Sequence, residues 1–174
     1  QILKNIKKGA TVEAAKRFTA TAHRLGLKIH GDFIVGLPGE TRESIRRTIE
    51  FAKQLDCETI QVSIAHAYPG TEFYEFAKQN ALINIGPMSD EQGHQLPHVI
   101  YPGILDEAEM MDWVERFYGE YYFRPKAAWR IVRKAIFNAS ERKRLYKEAR
   151  EYLSLRAKRK KYVEEMKAGA GAGA

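Results

Sequence analysis

Apolar positions along the chain follow two periods. Val12, Ala15, Phe18, Ala22 and Leu25 recur at helical spacing, with Thr11 placed to cap the start and Gly26 to stop the end. A shorter helix is expected over residues 2–8, with Ile2, Leu3 and Ile6 apolar and Gly9 as its stop. The period then falls to two. Over residues 28–35, Ile29, Gly31, Phe33 and Val35 point one way, and His30, Asp32, Ile34 and Gly36 the other. Thr41 opens a second helix, with Ile45, Thr48, Ile49, Ala52 and Leu55 on one face and Arg42, Glu43, Arg46, Arg47, Glu50 and Lys53 outside it. Thr59 to Ala65 again alternates: Ile60, Val62 and Ile64 oppose Gln61, Ser63 and Ala65. The turn Tyr68-Pro69-Gly70 leads through Thr71 into a helix to about Asn80. Helix, strand, helix, strand, helix is the order of a parallel β/α structure. Two strands close neither a sheet nor a barrel, so further strands are expected upstream of Gln1, and the chain is expected to be a piece of a longer protein.

Beyond this the pattern changes. Gly86 to Gly103 is dense in Gly, Pro, Ser and His without periodicity, which predicts a loop or linker. Asp106 and Glu109 then resemble a capping box, opening a helix to about Glu120 with Met111, Val114, Phe117, Tyr118 and Tyr121 on one face. Pro125 suits the first turn of another helix, expected to pack Ala128, Ile131, Val132, Ala135 and Ile136. Ser140 is expected to cap a long charged helix to about Lys167. The expected organisation is therefore an α/β part over 1–85, a linker over 86–104, an all-helical extension over 105–167, and an Ala-Gly tail over 168–174 without fold content.

Composition changes this picture in two places. The net charge is +7, and residues 140–167 alone hold eleven Lys or Arg against five Glu. The remaining residues are close to neutral, so a solvated surface helix and a contact with an anionic surface are the two readings of the tail. An anionic membrane surface is the functional expectation for residues 140–167, and nucleic acid is not favoured. The single cysteine, Cys57, excludes a disulfide and any cysteine-built metal or iron–sulfur site within this chain, so no metal ligands are expected in it. It reads as a small half-buried residue between helix and strand. No apolar run is long enough to span a membrane and no signal peptide is visible, which fits a cytoplasmic protein, peripheral at the inner face of the membrane if the basic helix binds there.

Candidate chemistry centres on residues 28–41. A strand buried on both faces reads as apolar throughout, yet both strands here carry polar residues on one face. That suggests a polar lumen holding a ligand. Gly36 at the strand end lets a ligand approach the backbone, and Gly36, Pro38 and Gly39 turn the chain into a helix whose N-terminus favours anions. Taken singly, the turn is only a tight connection, and His30 with Asp32 only a hydrogen-bonded structural pair. Their coincidence with the second strand favours a site.

Residues 31–41 (Gly-Asp-Phe-Ile-Val-Gly-Leu-Pro-Gly-Glu-Thr), then 48–51 (Thr-Ile-Glu-Phe) and 68–73 (Tyr-Pro-Gly-Thr-Glu-Phe), resemble the C-terminal part of a radical S-adenosylmethionine (radical SAM) core. More narrowly they resemble the class with an N-terminal cobalamin-binding domain, and residues 117–125 resemble its hopanoid-biosynthesis branch. The resemblance implies the C-terminal portion of a partial (β/α)6 barrel holding the fifth and sixth strands, followed by the helical extension. It implies S-adenosylmethionine (SAM), a [4Fe–4S] cluster on cysteines outside this chain, cobalamin through an upstream domain, and an electron donor protein. The cluster reduces SAM to a 5′-deoxyadenosyl radical that abstracts hydrogen from the substrate, so this chain alone is expected to be inactive. The implied cofactor-binding residues are Ile34 and Gly36, matching a Gly-x-Ile-x-Gly-x-x-Glu adenine motif, with Gln61 and Ser63 of the next strand. The match departs at Asp32, where the first glycine would stand, and at Gly39, where the glutamate would stand, with Glu40 one place later. His30, Asp32, His66 and Tyr68, on or just past the strands, are the candidate substrate contacts; the catalytic residues stay unknown. In the hopanoid branch the implied reaction is ring contraction of a lipid's sugar head group to a cyclitol ether.

Two rival readings remain. Within enzymes, a radical SAM methyltransferase or methylthiotransferase uses the same core. Outside them, residues 105–167 could be a basic helical module that binds RNA or a partner protein. A Cys-x3-Cys-x2-Cys motif upstream of Gln1 discriminates most cheaply.

Overall fold

The computed structural model describes residues 9–37, 39–80, 107–137 and 139–171. Its elements are α1 (Val12–Arg24), β1 (His30–Val35), α2 (Arg42–Leu55), β2 (Thr59–Ile64), α3 (Glu72–Gln79), α4 (Glu107–Tyr122), α5 (Pro125–Phe137) and α6 (Ala139–Gly171). The chain forms two compact units, Gln1–Val114 and Glu115–Ala174, so the division falls within α4. The described part is α/β and mostly helical. The helix expected over residues 2–8, the linker over 86–104 and the capping residue Asp106 lie outside the described residues.

Local chemistry sets the element ends. Thr11, Thr41 and Thr71 are extended residues whose hydroxyls each accept a backbone N–H three positions on, from Ala14, Ser44 and Tyr74, as N-caps require. At Thr41 the box is reciprocal, because Ser44 Oγ accepts the Thr41 N–H at 2.9 Å. α1 ends in a Schellman arrangement: the Leu27 N–H reaches Ala22 O, the Gly26 N–H reaches His23 O, and Gly26 takes φ +69°.

β1 and β2 pair in parallel, with His30 opposite Thr59, Asp32 opposite Gln61 and Ile34 opposite Ser63. One face buries Phe33, Val35, Ile60 and Val62. The other leaves His30, Asp32, Ile34 and Gln61 exposed and Ser63 half-buried. α2 buries Ile45, Ile49, Ala52 and Leu55, and the start of α4 adds Met110, Met111, Trp113 and Val114 to the buried set. Cys57 is fully buried rather than half-buried. It lies where a Cβ on Gly31 would come to 2.9 Å from its Sγ, so the absent side chain at Gly31 lets β1 and Cys57 close together.

Three helices differ from the sequence reading. On α1 the expected apolar stripe is mostly open: Phe18 and Leu25 are about two-thirds exposed, while Ala22 and the polar Thr19 are buried. Thr19 tolerates this because its hydroxyl donates to the helix carbonyls of Ala15 and Lys16. On α5 only Ala127 is fully buried, whereas Val132 and Ile136 point out. α6 starts at Ala139, placing Ser140 inside its first turn, and continues to Gly171, since alanine favours helix and no proline interrupts.

Unit two holds the end of α4, with Phe117 and Tyr121 fully buried, together with α5 and α6, which pack on each other. Tyr118 stacks on Tyr122 and meets the Tyr152 ring edge-on. The Arg124 guanidinium lies 4.3 Å over the Tyr121 ring, and Arg156 pairs with Glu115.

Candidate functional site

The turn after β1 is held by Glu40. Gly36 is buried at φ +82°, a conformation that favours glycine. The same geometry turns two successive backbone N–H groups inward. Glu40 folds back over them: its Oε2 accepts from the Gly36 N–H at 2.6 Å and from the Leu37 N–H at 3.2 Å. Its Oε1 accepts from the Ser44 hydroxyl at 3.3 Å. The side chain is buried, at 6% exposure. Burial pushes the Glu40 carboxyl above its usual range, partly offset by the backbone hydrogen bonds from Leu37 and Gly36 and by Ser44. A Cβ on Gly36 would meet Met110 Cε at 3.3 Å and Ile64 Cγ2 at 3.5 Å, so α4 and β2 fill the space beside it.

The sequence reading singled out Glu40 only as a displaced motif residue. Its role as a clamp was in principle visible: an acid four residues after a positive-φ glycine, immediately before a helix cap, can reach the N–H groups of its own turn. Met110 beside Gly36 had no such signal, because it arrives from another helix 74 residues along the chain.

The candidate residues fall into two groups along the strands. Near the carboxyl end lie Ile34, about half exposed at 46%, its register partner Ser63, and Gly36. His66 and Tyr68 follow β2, their rings tilted at 5.8 Å between centroids. Toward the amino end lie His30, Asp32 and Gln61. His30 Nδ1 is 2.7 Å from Thr59 Oγ1, its direct register partner, and Nε2 is 3.2 Å from Asp32 Oδ1. With the neutral ring, Nε2–H donates to Asp32 and Nδ1 accepts the Thr59 hydroxyl, which sets the ring's orientation. Six residues of strand, roughly 20 Å, separate His30 from Gly36. The structure therefore brings Ile34, Ser63 and the Gly36 turn together and leaves His30 and Asp32 as a distinct pair.

This arrangement can be tested against the cofactors the resemblance implies. Ile34 is an apolar side chain on an otherwise polar face, flanked by Asp32 and by Ser63 across the register, and such a side chain suits the flat face of an adenine ring. Ser63 offers a hydrogen-bonding group directly across the register, and Gln61 stands two residues further toward the amino end of β2. The Gly36 N–H is already committed to Glu40. SAM therefore fits the carboxyl-end group. A cluster held by three cysteines does not fit this chain, whose one cysteine is buried. Among the described residues no three His, Cys, Asp or Glu side chains converge as metal ligands.

At the head of α2, the Arg42 guanidinium makes two hydrogen bonds of 2.5 Å to the Glu109 carboxylate of α4. Trp113 Nε1–H donates to the same carboxylate at 3.3 Å. The hydrogen bond from Arg42 is the main reason that the Glu109 carboxyl lies below its usual range. Glu109 thus ties two helices together within unit one.

No family model matches the chain. In sequence it is 35% identical over 126 residues, 72% of its length, to an uncharacterized methyltransferase of Pyrococcus horikoshii. It is 31% identical over 87 residues to a tRNA-2-methylthio-N(6)-dimethylallyladenosine synthase of Herpetosiphon aurantiacus, covering 47% of this chain. A synthase of the same name from Buchnera aphidicola is 34% identical over 73 residues, 41% of this chain. These matches span 27%, 19% and 17% of the three relatives, so the chain spans about a quarter or less of their length. The relatives are named as enzymes of methyl and methylthio chemistry, which supports the radical SAM and methyl-transfer class over the more specific hopanoid assignment.

Proposed function

We propose that this chain is part of the catalytic core of a radical SAM enzyme that adds a methyl or methylthio group to its substrate. The observation that carries the reading is the strand-end group. Ile34 and Ser63 stand in register on a polar sheet face, beside a glycine turn whose backbone is clamped by Glu40. The relatives add the transferred group, because the resemblance already admitted methyltransferases and methylthiotransferases on this core and the relatives bear those names.

SAM, together with a reduced [4Fe–4S] cluster held by cysteines elsewhere in the full polypeptide, supplies a radical able to abstract hydrogen. The residues of this chain bind and orient. Ile34 packs against the base, Gln61 and Ser63 offer hydrogen bonds to the bound molecule, and Glu40 keeps the Gly36–Leu37 backbone fixed so that the pocket wall does not shift. His66 and Tyr68, following the carboxyl end of β2, are the nearer candidates for substrate contact. His30 and Asp32, at the other end, orient one another. Cobalamin and an electron donor protein belong to the same proposal and rest on the resemblance alone. So does hopanoid ring contraction, through residues 117–125.

The test is made on the full polypeptide containing this chain, purified without oxygen. Iron and sulfide in cluster amounts, and SAM binding that Ile34→Asp weakens by roughly tenfold or more, are expected. Absence of both iron and SAM binding overturns the proposal. Mass analysis of the product then separates methyl or methylthio addition from ring contraction.

A further inference from the structure

We infer that α5 is an interfacial helix that seats unit two on an anionic lipid surface. The sequence places the basic charge on α6, and the structure adds an apolar edge on α5. Trp129, Val132 and Ile136, at i, i+3 and i+7, form one stripe on α5 and are 66%, 46% and 61% exposed. Ala127, on the other side of the helix, is fully buried, and Ile131 and Ala135 are half-buried. The apolar face of α5 is thus wider than its packing partner covers. Phe137 extends the exposed apolar surface at the helix end, at 81% exposure.

Charge selects what covers this stripe. α5 carries Lys126, Arg130, Arg133 and Lys134 and no acidic residue. Lys126 and Arg133, three before and four after Trp129, are exposed along the border of the stripe. Arg142, Lys143, Arg144, Lys147 and Arg150 of α6 are exposed in the same unit. A second copy seated on the stripe would bring these cations against their own kind. A polynucleotide would pair with the cations and stack on Trp129, but it would leave Val132 and Ile136 in water. An anionic bilayer surface satisfies all three features: headgroups take the cations, the boundary region takes the indole, and the acyl chains take the aliphatic side chains. α5 lies in the surface and spans nothing; among the described residues no helix is long and apolar enough to cross a membrane.

The chain has two tryptophans, and Trp113 is buried at 8% exposure, so Trp129 reports on the surface. The full polypeptide containing this chain is mixed with vesicles of phosphatidylcholine alone, or of phosphatidylcholine with phosphatidylglycerol. Binding to the anionic vesicles only, weakened by salt, is expected. It should come with a blue shift of tryptophan emission and quenching by brominated acyl chains. Trp129→Phe should abolish the shift while binding persists. The pair Val132→Ser and Ile136→Ser should lower vesicle partition by roughly tenfold with an unchanged circular dichroism spectrum, since both sites are exposed. The inference is overturned by no binding at low salt, by binding without a shift, by tighter binding to RNA than to vesicles, or by a lipid-free shift that tracks self-association. The vesicle result is independent of the iron and SAM measurements, so either proposal can fail alone.

Discussion

Glu40 shows how one side chain determines the form of the candidate site. It is a buried acid whose oxygens are occupied by two backbone N–H groups and a hydroxyl. Glu40→Ala leaves both N–H groups unpaired in a buried turn and should cost about 2–4 kcal/mol in denaturant unfolding. Glu40→Gln keeps an acceptor and should cost about 1 kcal/mol or less. The pH dependence has a definite sign. Because burial raises this carboxyl, the folded chain holds the proton more tightly than the unfolded chain. Its contribution to stability therefore falls as pH rises from the ordinary carboxylate range through the folded value, and is flat above it. Glu40→Gln should remove that slope from a stability–pH series. A second residue-scale prediction concerns Gly31. A methyl there would press on Cys57 Sγ and Phe33, so Gly31→Ala should cost roughly 1–3 kcal/mol. Adding Cys57→Ala should recover part of that loss, giving a non-additive cycle.

At the scale of elements, the pattern of the sequence was legible where the chemistry is local. Each N-cap threonine sits where the spacing placed it, and the two sheet faces divide as the alternation predicts. The i,i+4 pair of Glu43 with Arg47 also forms, at 3.7 Å. What was not legible depends on partners from distant sequence. Glu109, read as the capping-box partner of Asp106, which lies outside the described residues, accepts from Arg42 of a distant helix and from Trp113. Its titration runs opposite to that of Glu40: this carboxyl is lowered, so its stabilisation is present above the ordinary carboxylate range and is lost as pH falls through the folded value. Arg42 is well exposed, so Arg42→Ala should cost no more than about 1 kcal/mol at neutral pH and nothing measurable in acid. A loss that persists in acid would mean that Arg42 acts through packing instead.

At the scale of the molecule, the sheet that carries the site has two parallel strands among the described residues, and such a sheet is marginal on its own. Hydrogen exchange should therefore be slowest in α2, where Ile45, Ile49 and Ala52 are fully buried. It should be fast at the β1 and β2 amides that do not face the other strand. Slow exchange along both strand edges would mean that something further pairs with them. The sequence by itself determined the order of elements, the threonine caps of α1, α2 and α3, the two faces of the sheet and the concentration of charge in residues 140–167. These follow from backbone geometry and period, which act over a few residues. Tertiary structure alone decided which apolar faces found cover. Among the described residues it left the stripe on α5 exposed while burying Ala127. It brought Met110 to Gly36 and Glu109 to Arg42. Packing depends on which distant segments meet, and no local pattern encodes that.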